Sequence, residues 1–229
     1  MKVGYKKLGL VLGAVVALAL MPARADAQMV RYSPIFWSFD VGGGYAIPLG
    51  TLSDNMKAGP SLALGASYFL NPRLALRAEG GLSWMGDTDA VEARGADPQL
   101  QIWTYTGGIE YHISDPTGDL MFTVDFGVGG ATFDSKVFTV NDYPTVGAST
   151  TGTFNKTRMA IDGGLKVGYN FARHAATGVP MATIYLKADA NVIFTKNVDT
   201  ALWSALNSAQ PFGTGLLLPI TAGIRVNLP

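Results

Sequence analysis

Cysteine is absent from this 229-residue chain, which excludes disulfides, thiolate metal ligands and a thiol nucleophile. Histidine is scarce, so any imidazole chemistry rests on His112 and His174 alone. Neither sign of charge is in excess: 17 Lys and Arg offset 17 Asp and Glu. A neutral chain gives no reason to expect nucleic acid or another polyanion as partner. After Leu20 no apolar run approaches the about 18 to 20 residues that a membrane-crossing helix needs. The chain beyond that point is therefore either soluble or crosses a bilayer with strands.

The start of the sequence has its own logic. Lys2, Lys6 and Lys7 precede an apolar stretch from Leu8 to Leu20, and Ala25-Asp26-Ala27 follows as a small-x-small cleavage site. Basic region, short apolar core and small residues are the anatomy of a secretory signal. The expected organisation is a signal peptide over 1–27, cut before Gln28, and a single domain over 28–229. No cysteine follows the signal, so lipid anchoring there is not expected.

Period two dominates what remains. In 157–171, Met159, Ile161, Leu165, Val167, Tyr169 and Phe171 share one parity, while Arg158, Asp162, Lys166 and Asn170 share the other. Such alternation predicts a β-strand with two unlike faces. It recurs over 35–47, 59–70, 74–85, 101–113, 120–132, 181–194 and 216–228. Between these, 48–57, 86–98, 133–156 and 195–213 are long connections. The first is a loop, the second acidic, the third Thr/Ser/Asn-rich and irregular, and the fourth has room for a helical turn over 199–207. The intervening links are shorter, with Asn71-Pro72-Arg73 a tight turn. Eight strands with long loops at one end predict an all-β fold, an eight-stranded antiparallel up-and-down transmembrane β-barrel. An even strand count closes the sheet and leaves no edge.

Three features point the apolar face at lipid. Aromatic residues gather at strand ends: Trp37, Tyr68, Tyr111, Phe122, Tyr169 and Phe171 near the short turns, Tyr45, Trp84, Trp103, Tyr105 and Phe194 near the long loops. Two such belts match the two headgroup levels of a bilayer. The polar face is rich in glycine, among them Gly42, Gly65, Gly81, Gly108, Gly127, Gly164 and Gly223, as a lumen only just wide enough for side chains demands. That face also carries Asp40, Glu79, Glu110, Asp125, Asp162 and Asp189 beside Arg77, Arg158, Lys166, Lys187 and Arg225. Enclosed charges must pair, and this near-balanced set predicts an ion-paired network plugging the barrel axis.

The signal, the run Phe39-Asp40-Val41-Gly42-Gly43-Gly44-Tyr45-Ala46-Ile47-Pro48, Gly59-Pro60-Ser61 and Tyr68-Phe69-Leu70-Asn71-Pro72 give the chain a resemblance. It resembles the small outer-membrane β-barrels of Gram-negative bacteria, the OmpA transmembrane-domain, OmpX and OmpW-like group. The resemblance implies residence in the outer membrane, contact with its lipids and lipopolysaccharide, insertion by its assembly machinery, and a monomeric state. Two departures stand out. The chain ends Arg225-Val226-Asn227-Leu228-Pro229, without the terminal aromatic that the assembly machinery reads in many members. No peptidoglycan-binding domain of the OmpA type is expected after the barrel, so that role is not carried over.

Some barrels of this size are enzymes: lipid A acyltransferases and deacylases, and an Asp/His protease. These need a histidine near the outer leaflet with a Ser or carboxylate partner. His112 and His174 both fall at the short-turn end, so no enzymatic activity and no catalytic residue is expected. Gly42-Gly43-Gly44 lacks the helix and the Lys-Ser/Thr of a phosphate loop. The acids Asp87, Asp89, Glu92, Asp134 and Asp142 lack EF-hand spacing. No metal or cofactor is expected. The leading functional expectation is a structural or surface-interaction protein acting through four external loops. A narrow conduit for small hydrophobic solutes is the alternative, hinted at by Met85, Ile102 and Ile193; a lipid A-modifying enzyme ranks below both. A soluble lipocalin-like barrel is a further reading.

Overall fold

The computed structural model describes residues 37–50, 52–53, 56–87, 100–115, 118–135, 138–141, 149–152, 155–175, 178–194 and 214–228. Eight long strands carry the fold: β1 (Trp37–Gly50), β2 (Gly59–Asn71), β3 (Leu74–Trp84), β4 (Gln101–His112), β5 (Leu120–Asp134), β6 (Asn155–Arg173), β7 (Pro180–Ile193) and β8 (Gly215–Leu228). Each pairs antiparallel with the next, and β8 pairs with β1, so the sheet closes into a barrel. Closure satisfies the backbone donors and acceptors of every strand within the sheet, the condition for spanning hydrocarbon with strands. No helix among the described residues is long and apolar enough to cross a membrane.

Local chemistry sets the turns. Asn71 ends β2, and its Oδ1 accepts from the backbone N–H of Arg73 and of Leu74, both at 2.9 Å. That side chain imitates a backbone turn and reverses the chain in two residues. At the opposite end, two small ribbons stand above the barrel. Met56–Lys57 pairs with Gly86–Asp87, and Phe138–Asn141 pairs with Ser149–Gly152. The second corrects the expectation of irregular chain over 133–156, and Pro48, expected in a loop, extends β1 opposite Leu217. Residues 199–207, where a helical turn was expected, lie outside the described residues.

The two wall faces are inverted relative to a soluble protein. Outside, Val41, Leu62, Leu64, Leu165, Val167, Ile184 and Leu186 are exposed, Leu165 at 62%. Inside, Arg225, Lys166, Lys187 and Glu110 are among the fully buried side chains. Apolar groups on the surface and charges in the centre suit only an apolar surrounding. On β6 the exposed face runs from Met159 to Phe171. That is about 40 Å of strand, or about 30 Å along the axis at a tilt near 40°, enough for an outer-membrane apolar band of about 25 Å with an aromatic girdle at its edge.

Candidate functional site in the lumen

Alternation along each strand sends every second side chain inward, and register decides which of them meet. Asp40 of β1 stands directly opposite Arg225 of β8. The Arg225 guanidinium donates from Nε and Nη2 to the two oxygens of Asp40, at 2.8 and 2.9 Å. It also donates from Nη1 and Nη2 to Glu110, at 2.7 and 2.6 Å. A planar fork gripping two carboxylates is the strongest geometry that an ion pair offers. Lys166 closes the group, with Nζ at 3.2 Å from Asp40 and 3.3 Å from Glu110. Two acids and two bases balance here. His112 Nε2 lies 2.8 Å from Glu110, whose carboxylate is already shared by Arg225 and Lys166.

A second cluster lies in the middle of the lumen. Arg77 contacts Glu79 and Asp125 closely and reaches Asp162 at 3.3 Å. Lys187 Nζ lies 2.7 Å from Glu79, 2.9 Å from Asp189 and 3.7 Å from Asp125. Ten of the eleven charged residues assigned to the lumen thus gather in two groups. The eleventh, Arg158, stands apart: its guanidinium donates to the Thr157 carbonyl at 3.1 Å, and among the described residues it joins neither group. Parity gave Arg158 the right face but no information on height; it sits near the loop end of β6, opposite Ala131.

Tyr185 also belongs to the lumen. Its ring lies 5.0 Å from Lys166 Nζ, in cation–π range. Its hydroxyl sits against Gly42 and Gly223, where an added Cβ would fall 2.8 and 2.6 Å from it. Bare backbone on one strand accommodates a bulky side chain from another, which is how so narrow a lumen holds these groups.

Above the ionic clusters the lumen turns apolar. Ala46, Met85, Leu100, Ile102, Ala131, Phe133, Ala160, Ile193 and Leu217 form one buried cluster, and Leu52 and Met56 of the first loop drop into it. Leu52 seats on Gly215, with its Cγ 2.4 Å from where a Cβ would stand. Met85, Ile102 and Ile193 were foreseeable from parity. Leu52 and Met56 were not, because a loop has no periodicity to read.

The belt residues all lie on the outer wall or its rim. Trp37 packs against Tyr68 at 5.0 Å between ring centroids, at the short-turn level. Tyr111, Phe122, Tyr169 and Phe171 occupy the same end; Tyr45, Trp84, Trp103, Tyr105 and Phe194 occupy the loop end. Trp84 and Tyr111 are half-buried and the others exposed. Asp134 ends β5 and accepts from Asn155 at 3.2 Å. Asp89, Glu92 and Asp142 lie outside the described residues.

An inverted closed barrel of eight strands is a fold seen before. Neisserial surface protein A matches with a TM-score of 0.53 at 11% identity, over 84% of this chain and 97% of that one. A major outer membrane protein from Thermus thermophilus matches with a TM-score of 0.53 at 16% identity, over 84% of this chain and 99% of that one. The chain has the fold of the small eight-stranded outer-membrane β-barrels. No family model and no curated protein matches it by sequence. At these identities the likeness is one of fold.

Proposed function

We propose that this outer-membrane-type barrel is a closed structural or surface-interaction protein of the Gram-negative outer membrane, exported by the signal over 1–27 and presenting its four long loops to the exterior. One observation carries the reading: the lumen is closed twice, by the Asp40–Arg225–Glu110 ion group toward the short turns and by the Leu52-seated apolar cap toward the loops. A protein built to conduct leaves a wet path, and a protein built to present loops gains from a rigid, filled stem. Planar bilayer recording tests this. The purified barrel is expected to give no sustained conductance, and a steady open level at low voltage would overturn the reading.

A second reading draws on the apolar cap. A conduit for small hydrophobic solutes needs apolar residues inside the loop end, and the cap supplies them. In that reading Leu52 and Met56 leave the mouth when a solute enters. Faster proteolysis of the first loop on adding a small hydrophobic solute, with no further increase in Leu52→Ala, would favour it. Neither histidine supports an enzyme. His112 is buried at the short-turn end against Phe69, and the described contacts of His174 are backbone bonds within its turn. No loop ligand is assigned.

A further inference from the structure

The two ionic clusters differ in their sums. Asp40 and Glu110 face Lys166 and Arg225, two against two. In the other, Glu79, Asp125, Asp162 and Asp189 face only Arg77 and Lys187. Two carboxylates are in surplus among the described residues, in an enclosed space where an uncompensated charge is costly.

The surplus is concentrated. One carboxylate oxygen from each of Asp125, Asp162 and Asp189 lies within 4.8 Å of the others. These acids come from three consecutive strands, β5, β6 and β7, and each is at least nine-tenths buried. Arg77 takes Oδ1 of Asp125 and approaches Oδ2 of Asp162. Oδ2 of Asp125 and Oδ1 of Asp162 remain buried without a hydrogen-bond partner. Lys187, at 3.7 Å from Oδ2 of Asp125, is too far to donate.

The backbone is cut to fit this convergence. Asp125-Phe126-Gly127 and Asp162-Gly163-Gly164 run antiparallel, so that Asp125 stands opposite Gly164 and Asp162 opposite Gly127. A Cβ on Gly164 would lie 2.2 Å from an oxygen of Asp189 and 2.7 Å from one of Asp125; a Cβ on Gly127 would lie 2.3 Å from Oδ1 of Asp162. Each glycine holds open the space that a carboxylate enters. Asp189 also lines a cavity with Ser61, Ser83, Thr104, Thr106 and Asn191, whose hydroxyl and amide groups suit water.

We propose that Asp125, Asp162 and Asp189 hold one hard divalent cation of the calcium type inside the barrel. Calcium takes oxygen ligands at about 2.4 Å in irregular geometry, so oxygens on opposite sides of it stand up to about 4.8 Å apart. Its charge cancels the surplus of two, and the cavity beside Asp189 has room for a water as one further ligand. The ion ties three neighbouring strands at mid-lumen, a structural role independent of what the loops bind.

The test uses the whole mature chain refolded in detergent, in EDTA or in millimolar calcium chloride. After desalting, elemental mass spectrometry is expected to find one calcium per chain, and Tm is expected to be several degrees higher with calcium than with EDTA. Asp162→Asn is expected to lose both the ion and the shift. Asn191→Asp adds a carboxylate opposite Asp162 and is expected to enlarge the shift, which keeps the test decisive if Asp162→Asn fails to refold. No bound calcium together with an EDTA-indifferent Tm overturns the proposal and assigns the surplus to protons. Equal calcium in wild type and Asp162→Asn overturns it as well.

Discussion

From the short turns to mid-lumen the barrel is filled by salt bridges; from there to the loops it is filled by Leu52, Met56, Ile102, Phe133, Ile193 and Leu217. Both fillings occupy the lumen, but they fail differently. An ionic filling is specific and brittle: removing one member strands its partner as a buried unpaired charge. An apolar filling is forgiving, because a lost methyl group costs contacts and a small void. The outer wall adds a third case, in which an apolar surface is stable only while lipid covers it.

Arg225→Met strikes the ionic half hardest. It leaves Asp40 and Glu110 with Lys166 alone and is expected to destabilise the barrel by about 3 to 5 kcal/mol. The loss should be read as a lower urea midpoint in detergent or lipid vesicles; an unchanged midpoint would mean that the pairing is not worth what its geometry implies. On the outer wall, Leu165→Arg places a charge near mid-bilayer. It is expected to cost about 2 to 4 kcal/mol in vesicles, and an effect near zero would remove lipid from that face. In the apolar half, Leu52→Ala should cost about 2 kcal/mol, at the low end for a core leucine because the loop can settle into the void. Its second sign would be faster proteolysis within the first loop. Smallest of all, Asp119→Ala breaks the exposed pair with Arg173, whose 2.8 Å contact lies in a solvated turn. Less than about 1 kcal/mol is expected there, and a larger loss would mark that turn as structurally important.

These contrasts also sort what was readable in the sequence. The eight strands were, because lipid on one side and a narrow lumen on the other enforce period two along each. The turn at Asn71 was, because its side chain makes the turn. The ribbon joining Phe138–Asn141 to Ser149–Gly152 was not: each strand is only four residues, too short for the alternation of Phe138 and Val140 to stand out, and Ser149–Gly152 has no apolar side chain to alternate. The place of Arg158 was not, since parity fixes a side and leaves height free. Nor was the partition of the charges, balanced near Arg225 and unbalanced near Asp162. That depends on which rows of neighbouring strands come level, and only the register supplies it.

The opposition of Asp40 and Arg225 has a consequence for how the barrel is made. The two residues lie on the first and last strands, so they meet only when the sheet zips shut. A slip of two residues at that seam would keep every apolar side chain facing outward, and hydrophobicity alone would accept the mistake. The slip would bring Asp40 opposite Asn227 or Gly223 and leave the guanidinium fork with only one of its two carboxylates, Glu110. The pair therefore works as proofreading of ring closure, admitting one alignment among several that lipid would tolerate.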